Sequence, residues 1–178
     1  GLNLLRDRLC VVQLSNGDGN CHLVQFPMDT TYKAPNLLAI LENPKIQKIF
    51  HFARFDVAGL YHYLGAETQN IYCTKIASRL TRTYADRHGL KDLCKQMLGI
   101  EISKQEQMSD WASSELTKAQ QEYAATDVLY LHQLRDMLET LLIRDKRHAE
   151  AHECFDFLMT RAKLDLMGWN DQDIFAHM

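Results

Sequence analysis

Apolar positions change their spacing along this chain, from near-continuous runs early to a helical period late. Residues 9–14 (LCVVQL) form an almost unbroken apolar run with two valines, which predicts a strand covered on both faces. Residues 15–20 (SNGDGN) are dense in turn formers, and 21–26 (CHLVQF) follow as a second strand, so an antiparallel hairpin is expected. After a loop over 27–35, Asn36 is placed to cap a short helix through Leu41, which Asn43-Pro44 ends. A third strand is expected over 46–52 (IQKIFHF), then a helix over 54–64, a short strand over 71–73 and a helix over 74–80. Residues 81–89 read as polar loop, 90–98 as a helix stopped by Gly99, and 101–115 as irregular. A helix over 148–163 and a tail over 167–178 close the chain. Strands first, then strand–helix alternation, then helices predicts an α/β domain with a mixed sheet.

The most informative stretch is 117–142 (TKAQQEYAATDVLYLHQLRDMLETLL), expected as one long helix. Thr117 and Gln120 have the spacing of a capping box. An apolar stripe runs through Leu131, Leu134, Leu138 and Leu141, and traced backwards by fours it passes through Asp127 and Tyr123. A carboxylate and a phenol therefore sit one turn apart on the face that should be buried. A buried carboxylate needs a partner, because losing its hydration is expensive. No Lys or Arg three or four residues away on that stripe supplies one. The partner is a cation from another segment, a metal ion, or a hydrogen-bonding loop.

With 178 residues, 46% of them hydrophobic, the chain is expected to be a single domain in which 143–178 forms a C-terminal helix and tail. No run approaches the ~18 apolar residues of a membrane helix, and residues 1–8 resemble neither a signal nor a transit peptide. The five Cys include no CxxC pair, which favours reduced, buried thiols in a cytoplasmic protein. A net charge of −3 excludes a protein that coats long nucleic acid through a general positive field. A short nucleic acid held through metal ions remains compatible with it.

Asp56, in HFARFD, follows the 46–52 strand directly, at the strand end where α/β proteins place their sites. Its alternative role is to stabilise the first turn of a helix. With Tyr123 and Asp127 it offers only oxygen ligands, which suit Mg2+ or Mn2+. Lys75, Arg79, Arg82, Arg87, Lys91 and Lys95 make 73–95 basic, either for phosphate contact or as a solvated helix face. His148 and His152 have metal-chelating spacing, but the HExxH order is absent and no third ligand is evident, so an exposed helix face is expected. Trp111 is expected to anchor the irregular segment.

The motifs HFARFD, HGLKDL, ISKQEQMSDW and QEYAATDVLYL, in this order and spacing, resemble the Tyr branch of the DEDD 3′–5′ exonucleases, the ribonuclease D group. The opening GLNLLRDRLCVVQLS and closing LDLMGWNDQDIFAHM are similar to its small single-domain nanoRNase branch, whose members degrade RNA dinucleotides. The resemblance implies a ribonuclease H-like mixed sheet flanked by helices. It places the second acidic motif at Asp56 and the third at Tyr123 with Asp127. The first motif, an Asp-x-Glu on the first, central strand, is missing, and the sequence is expected to be N-terminally incomplete. Leu2 matches the residue that wedges against terminal bases in relatives.

The resemblance also implies two-metal phosphodiester hydrolysis, with two divalent ions about 3.5–4 Å apart stabilising the attacking and leaving oxygens. Asp56 and Asp127 would be ligands, Tyr123 would position the attacking water, and His51 and Lys104 would contact substrate. The expected substrate is short single-stranded RNA, cut from its 3′ end to nucleoside 5′-monophosphates. The expected assembly is a symmetric homo-oligomer, possibly an octamer. The competing reading is a non-catalytic nucleic-acid-binding or scaffold protein that lacks the first acidic motif.

Overall fold

Local polar contacts shape the first turn. In the computed structural model, which describes residues 7–28, 31–103 and 109–177, strands β1 (Val11–Leu14) and β2 (His22–Gln25) pair antiparallel with Val12 opposite Val24. Between them the Asp18 N–H donates to Asn16 Oδ1 (3.2 Å) and the Asn20 N–H to Asp18 Oδ1 (2.9 Å), turns that Asn and Asp favour. Gly17 has φ 87°, and a Cβ on it would stand 3.0 Å from the His132 ring. The loop tip thus needs glycine for its backbone and for its approach to the late helices.

Helix α1 (Pro35–Leu41) starts two residues earlier than expected, because Pro35 is preorganised for the first helical position. Asn36 therefore lies inside the helix and caps nothing. Strand β3 (Lys48–Phe50) pairs in parallel with β4 (Ile71–Cys73), and helix α2 (Ala53–Leu64) is the crossover between them. The third strand is shorter than its apolar run, since Phe52 turns left-handed at φ 67°. No described strand joins the β1–β2 pair to the β3–β4 pair. Helix α2 closes at Gly65 (φ 68°), where Gly65 N–H reaches Tyr61 O and Ala66 N–H reaches Leu60 O, a Schellman-type stop.

Helix α3 (Thr74–Thr81) follows β4 without a break. Helix α4 (Leu90–Leu93) runs into a π turn over Cys94–Leu98, which ends at Gly99. The expected long helix is two: α5 (Lys118–Leu129) and α6 (Leu131–Arg144), meeting at Tyr130 (φ −104°, ψ −2°). No Gly or Pro causes this bend. Helix α5 packs on the β1–β2 hairpin, whereas α6 packs on β3, α3 and helix α7 (His148–Leu164), so each half follows its own surface. In α6 the buried stripe is Leu131, Leu134, Leu138 and Leu142, with Leu141 only partly covered.

The main core joins Val57, Tyr72, Leu93, Leu134, Leu138 and Phe155. A second cluster joins Val12 and Phe26 from the hairpin region, Leu37 and Leu41 from α1, and Leu60 and Leu64 from α2. Helix α2 serves both, which fixes its first turn relative to the hairpin and to the β3–β4 pair. Each such side chain contributes about 1.5–3 kcal/mol of burial. All five thiols are free. Cys73 and Cys94 are buried as expected, whereas Cys154 is exposed on α7. Among the described residues no helix is long and apolar enough to cross a membrane.

Candidate active site

Phe52 sets the position of Asp56. Its left-handed backbone ends β3 abruptly and starts α2, and Asp56 falls in the first turn of that helix. Asp56 keeps access to water, while the next residue, Val57, is fully buried. Protein nevertheless crowds its carboxyl. That desolvation, followed by the charge of Asp127, pushes Asp56 up to about 7. The surface exposure and the crowding point in opposite directions. Water at the open side screens the charge, so the shift acts with less than the force that crowding alone would give.

Asp127 lies in the last turn of α5, half-buried, and burial pushes its carboxyl up to about 6. Tyr123, one turn earlier and also half-buried, is shifted upward by burial and then by Asp127. The three residues singled out in the sequence therefore share one electrostatic site. The site is less buried than the apolar stripe predicts. Neither carboxylate has a hydrogen bond or ion pair among the described residues. Two uncompensated carboxylates beside a phenol are a donor set that a hard divalent cation fits, because oxygen ligands and negative charge are what it requires.

Tyr123 is held from the other side by Trp111, with ring centroids 6.0 Å apart. The segment bearing Trp111 is tied down by Gln120, which is buried. Gln120 closes the capping box with Thr117: its N–H donates to Thr117 Oγ1 (3.2 Å), and its Oε1 accepts from the Thr117 N–H (2.9 Å). Its Nε2 then donates to Ser109 Oγ (3.1 Å) and Asp110 O (2.9 Å). One side chain thus caps α5 and positions Trp111 against the phenol. A groove of about 410 Å³ runs beside α5, between Leu116, Gln121 and Ala125 and the β2-side residues Cys21, Leu23 and Gln25. Asp56 and Tyr123 do not line it.

His51 is half-buried with Nδ1 3.0 Å from Thr74 Oγ1, and Thr74 in turn donates to Phe50 O. Burial, then Lys75, pushes its imidazole down to about 4, so it is neutral near pH 7. Leu2 and Lys104 lie outside the described residues. Arg82 is not part of a solvated face. It is buried and donates to Ser78 Oγ, to Arg87 O and to Gln96 Oε1. Phe52 is a residue that the sequence reading missed. It is exposed, its ring stacks with Phe55 at 6.4 Å, and Lys75 Nζ sits 4.2 Å above it. A bulky residue held at positive φ beside a candidate site is the sort of strain that marks function; nothing in the string HFARFD announces it.

A profile described as 3'-5' exonuclease matches residues 1–143. A ribonuclease D of Acidiphilium cryptum is 32% identical over 139 residues, covering 78% of this chain and 35% of that protein. The chain thus spans about a third of the length of that curated relative. The structure of Brucella melitensis NrnC with bound Mg2+ superposes with a TM-score of 0.95 at 56% identity, covering 100% of this chain and 86% of that one. That of Brucella melitensis NrnC bound to pGG gives 0.96 at 57%, with the same coverage. The small sheets and surrounding helices are therefore those of a ribonuclease H-like exonuclease fold. With the profile covering most of the residues, and with Asp56, Tyr123 and Asp127 gathered as they are, this chain belongs to the 3'-5' exonuclease family of hydrolytic nucleases.

Proposed function

We propose that this chain carries a divalent-metal-dependent 3′–5′ exoribonuclease activity that hydrolyses short RNA, dinucleotides included, to nucleoside 5′-monophosphates. The observation that carries this reading is the placing of Asp56 by Asp127, the first raised by crowding and then by the charge of the second, the second raised by burial, beside Tyr123 and without a described protein cation. Mg2+ and pGG, bound by NrnC of Brucella melitensis, support the cofactor and the size of substrate. Mn2+ meets the same oxygen-rich ligands.

Asp56 and Asp127 would hold the metal. Two divalent ions would supply charge to the attacking and leaving oxygens of an in-line displacement. Tyr123 orients the attacking water through its hydroxyl; burial and Asp127 keep that phenol protonated at neutral pH, so it positions rather than deprotonates. His51, neutral and fixed by Thr74, offers a hydrogen-bonding edge near the start of α2, and Leu2 and Lys104 are further proposed substrate contacts. Phe52 presents an apolar face on which a base can stack.

We extend the proposal to the rest of the site. An Asp-x-Glu strand between the two open strand pairs would unite them into one sheet and complete the ligand set. The exposed apolar tail supports a closed homo-oligomer, with an octamer as the proposed state. Five free thiols support the cytoplasm as its compartment.

The test is release of labelled mononucleotide from an RNA dinucleotide in Mg2+ by the full-length protein and by Asp127→Asn. Loss of about 3 kcal/mol or more of charge stabilisation predicts at least an about hundredfold fall in rate, with the circular dichroism spectrum unchanged. Parent-level activity in a folded Asp127→Asn protein would remove the metal assignment.

A further inference from the structure

The turn between α6 and α7 brings together three side chains from two helices. His148 and His152 stand one turn apart at the start of α7, and Glu139 faces them from α6. The sequence shows the histidine pair but conceals the third member, which only the hairpin supplies. Lys146, at φ 56°, and the bond from Arg147 N–H to Leu142 O (2.9 Å) fold α7 back along α6. His148 Nε2 then lies 2.7 Å from Glu139 Oε1, and His152 Nε2 lies 3.3 Å from the same oxygen. The two imidazoles are 4.3 Å apart between centroids. The ligating atoms of all three lie within 4.8 Å of one another.

Hydrogen bonding alone uses this carboxylate badly. Glu139 has only 14% of its side chain exposed, yet both histidines converge on Oε1 while Oε2 is buried with no hydrogen-bond partner. A buried anion with one crowded and one empty oxygen is costly. Tyr72 lies beneath the cluster, fully buried, with its ring 6.2 Å from that of His152 and its hydroxyl also without a hydrogen-bond partner. Burial, then the charge of Glu139 and a loose hydrogen-bonding approach to it, raises that phenol's pKa: the hydroxyl stands near the carboxylate without meeting it at hydrogen-bond distance. An outer donor is what orients a metal-bound carboxylate.

The distances suit a small tetrahedral cation. Zinc bonds of about 2.0–2.1 Å set ligand atoms roughly 3.3–3.4 Å apart, so the His152 contact already matches and the His148 contact need open only slightly. We propose that Glu139, His148 and His152 form a second metal site, taking one zinc-class divalent cation that staples α6 to α7. Two imidazoles and one carboxylate select a borderline ion over Mg2+. His148 is exposed, which leaves a solvent entrance and room for water at the fourth position. The site lies on the α6–α7 hairpin, whereas the carboxylate centre is built from α2 and α5, and it is expected to take its ion whether or not that centre is loaded.

The experiment is calorimetric titration of Zn2+ into the metal-stripped full-length protein, made in an Asp127→Asn background so that the carboxylate centre contributes little. Thermal unfolding with and without Zn2+ accompanies it. The expected result is one Zn2+ per chain at micromolar or tighter affinity and a raised unfolding midpoint that millimolar Mg2+ does not reproduce. His148→Ala, a surface change that keeps the fold, is expected to weaken Zn2+ binding at least about a hundredfold and to abolish the shift, and Glu139→Gln to do the same. Absence of micromolar Zn2+ binding, or binding that survives both substitutions unchanged, would overturn the proposal.

Discussion

The charge of Asp127, at the end of α5, reaches Asp56 in the first turn of α2 and joins burial in pushing that carboxyl up to about 7. Neither aspartate is held by a cation among the described residues, so the pair is a destabilising feature of the metal-free fold. Such strain is reasonable where a cation is to bind, because the ion's attraction is then partly relief of repulsion between its own ligands.

The two raised carboxyls make the stability of the metal-free protein depend on pH. In the folded chain Asp56 is pushed up to about 7, less the screening by water at its open side, and Asp127 to about 6, both above their ordinary 3.8. Between those limits the folded state holds more protons than the unfolded, so metal-free stability falls as pH rises through that window. His51 opposes this, since its folded pKa of about 4 lies below the ordinary 6.5 and its contribution is lost as pH falls. The comparison that isolates the carboxylates is therefore parent against Asp127→Asn. The variant's unfolding midpoint is expected to drop less between about pH 5 and pH 7.5, and Mg2+ is expected to narrow the difference. Identical slopes would assign the pH dependence to other groups.

Tyr123→Phe and Phe52→Ala are expected to separate rate from affinity. Removing the Tyr123 hydroxyl leaves the ring against Trp111 and takes away only the positioning of water, so single-turnover rate should fall about a hundredfold while dinucleotide affinity holds. Removing the exposed Phe52 ring should cost about 1–3 kcal/mol of stacking and weaken affinity instead. Rapid-quench kinetics beside equilibrium binding checks both. The reverse pattern would exchange the two roles.

Much of this site could be read from spacing. Tyr123 and Asp127 interrupt an apolar period, Asp56 follows a strand, and the Thr117–Gln120 pair marks a helix start whatever the surrounding fold. What could not be read depends on tertiary contact. The bend at Tyr130 carries no Gly or Pro, and arises because α5 and α6 dock on different surfaces. Phe52 adopts a left-handed backbone that its residue type disfavours, which only the β3–α2 connection explains. Arg82 shares helical spacing with Lys75 and Arg79, yet it is buried because Ser78 and Gln96 receive its guanidinium. Glu139 looks like any polar helix position until α7 folds back on it.

Thr117→Ala and Gln120→Ala should differ although both break the same capping box. Loss of the threonine cap is expected to cost about 1 kcal/mol. Loss of Gln120 also removes its hydrogen bonds to Ser109 Oγ and Asp110 O, both only part-buried, adding about 0.5–1.5 kcal/mol for each. It further loosens the segment that presses Trp111 on Tyr123, so catalytic rate should fall with stability, whereas Thr117→Ala should spare the rate. Urea denaturation and turnover on the same samples check this. Equal effects of the two substitutions would reduce Gln120 to a cap alone.

The C-terminal tail is fixed in its backbone yet bare in its side chains. Its backbone is held: Arg54 and Arg161 both bind Asp165, Arg54 also donates to Asn170 O (2.6 Å), and Arg161 donates to the carbonyls of Trp169 and Gln172. Its side chains are not covered to match. Phe175 is 79% exposed, with its ring 6.0 Å from that of Phe157, and Met167 is 67% exposed. An ordered backbone that displays large apolar groups is better explained by a partner surface than by failure to pack. In a closed homo-oligomer every subunit would use this same surface. The full-length protein is therefore expected to sediment as an oligomer at micromolar concentration. A version ending at Leu166 keeps the Arg54–Asp165–Arg161 cluster but should sediment as a smaller species with its helical content intact. A monomeric full-length protein would end the oligomer reading, and an unchanged oligomer after truncation would move the interface elsewhere on the domain.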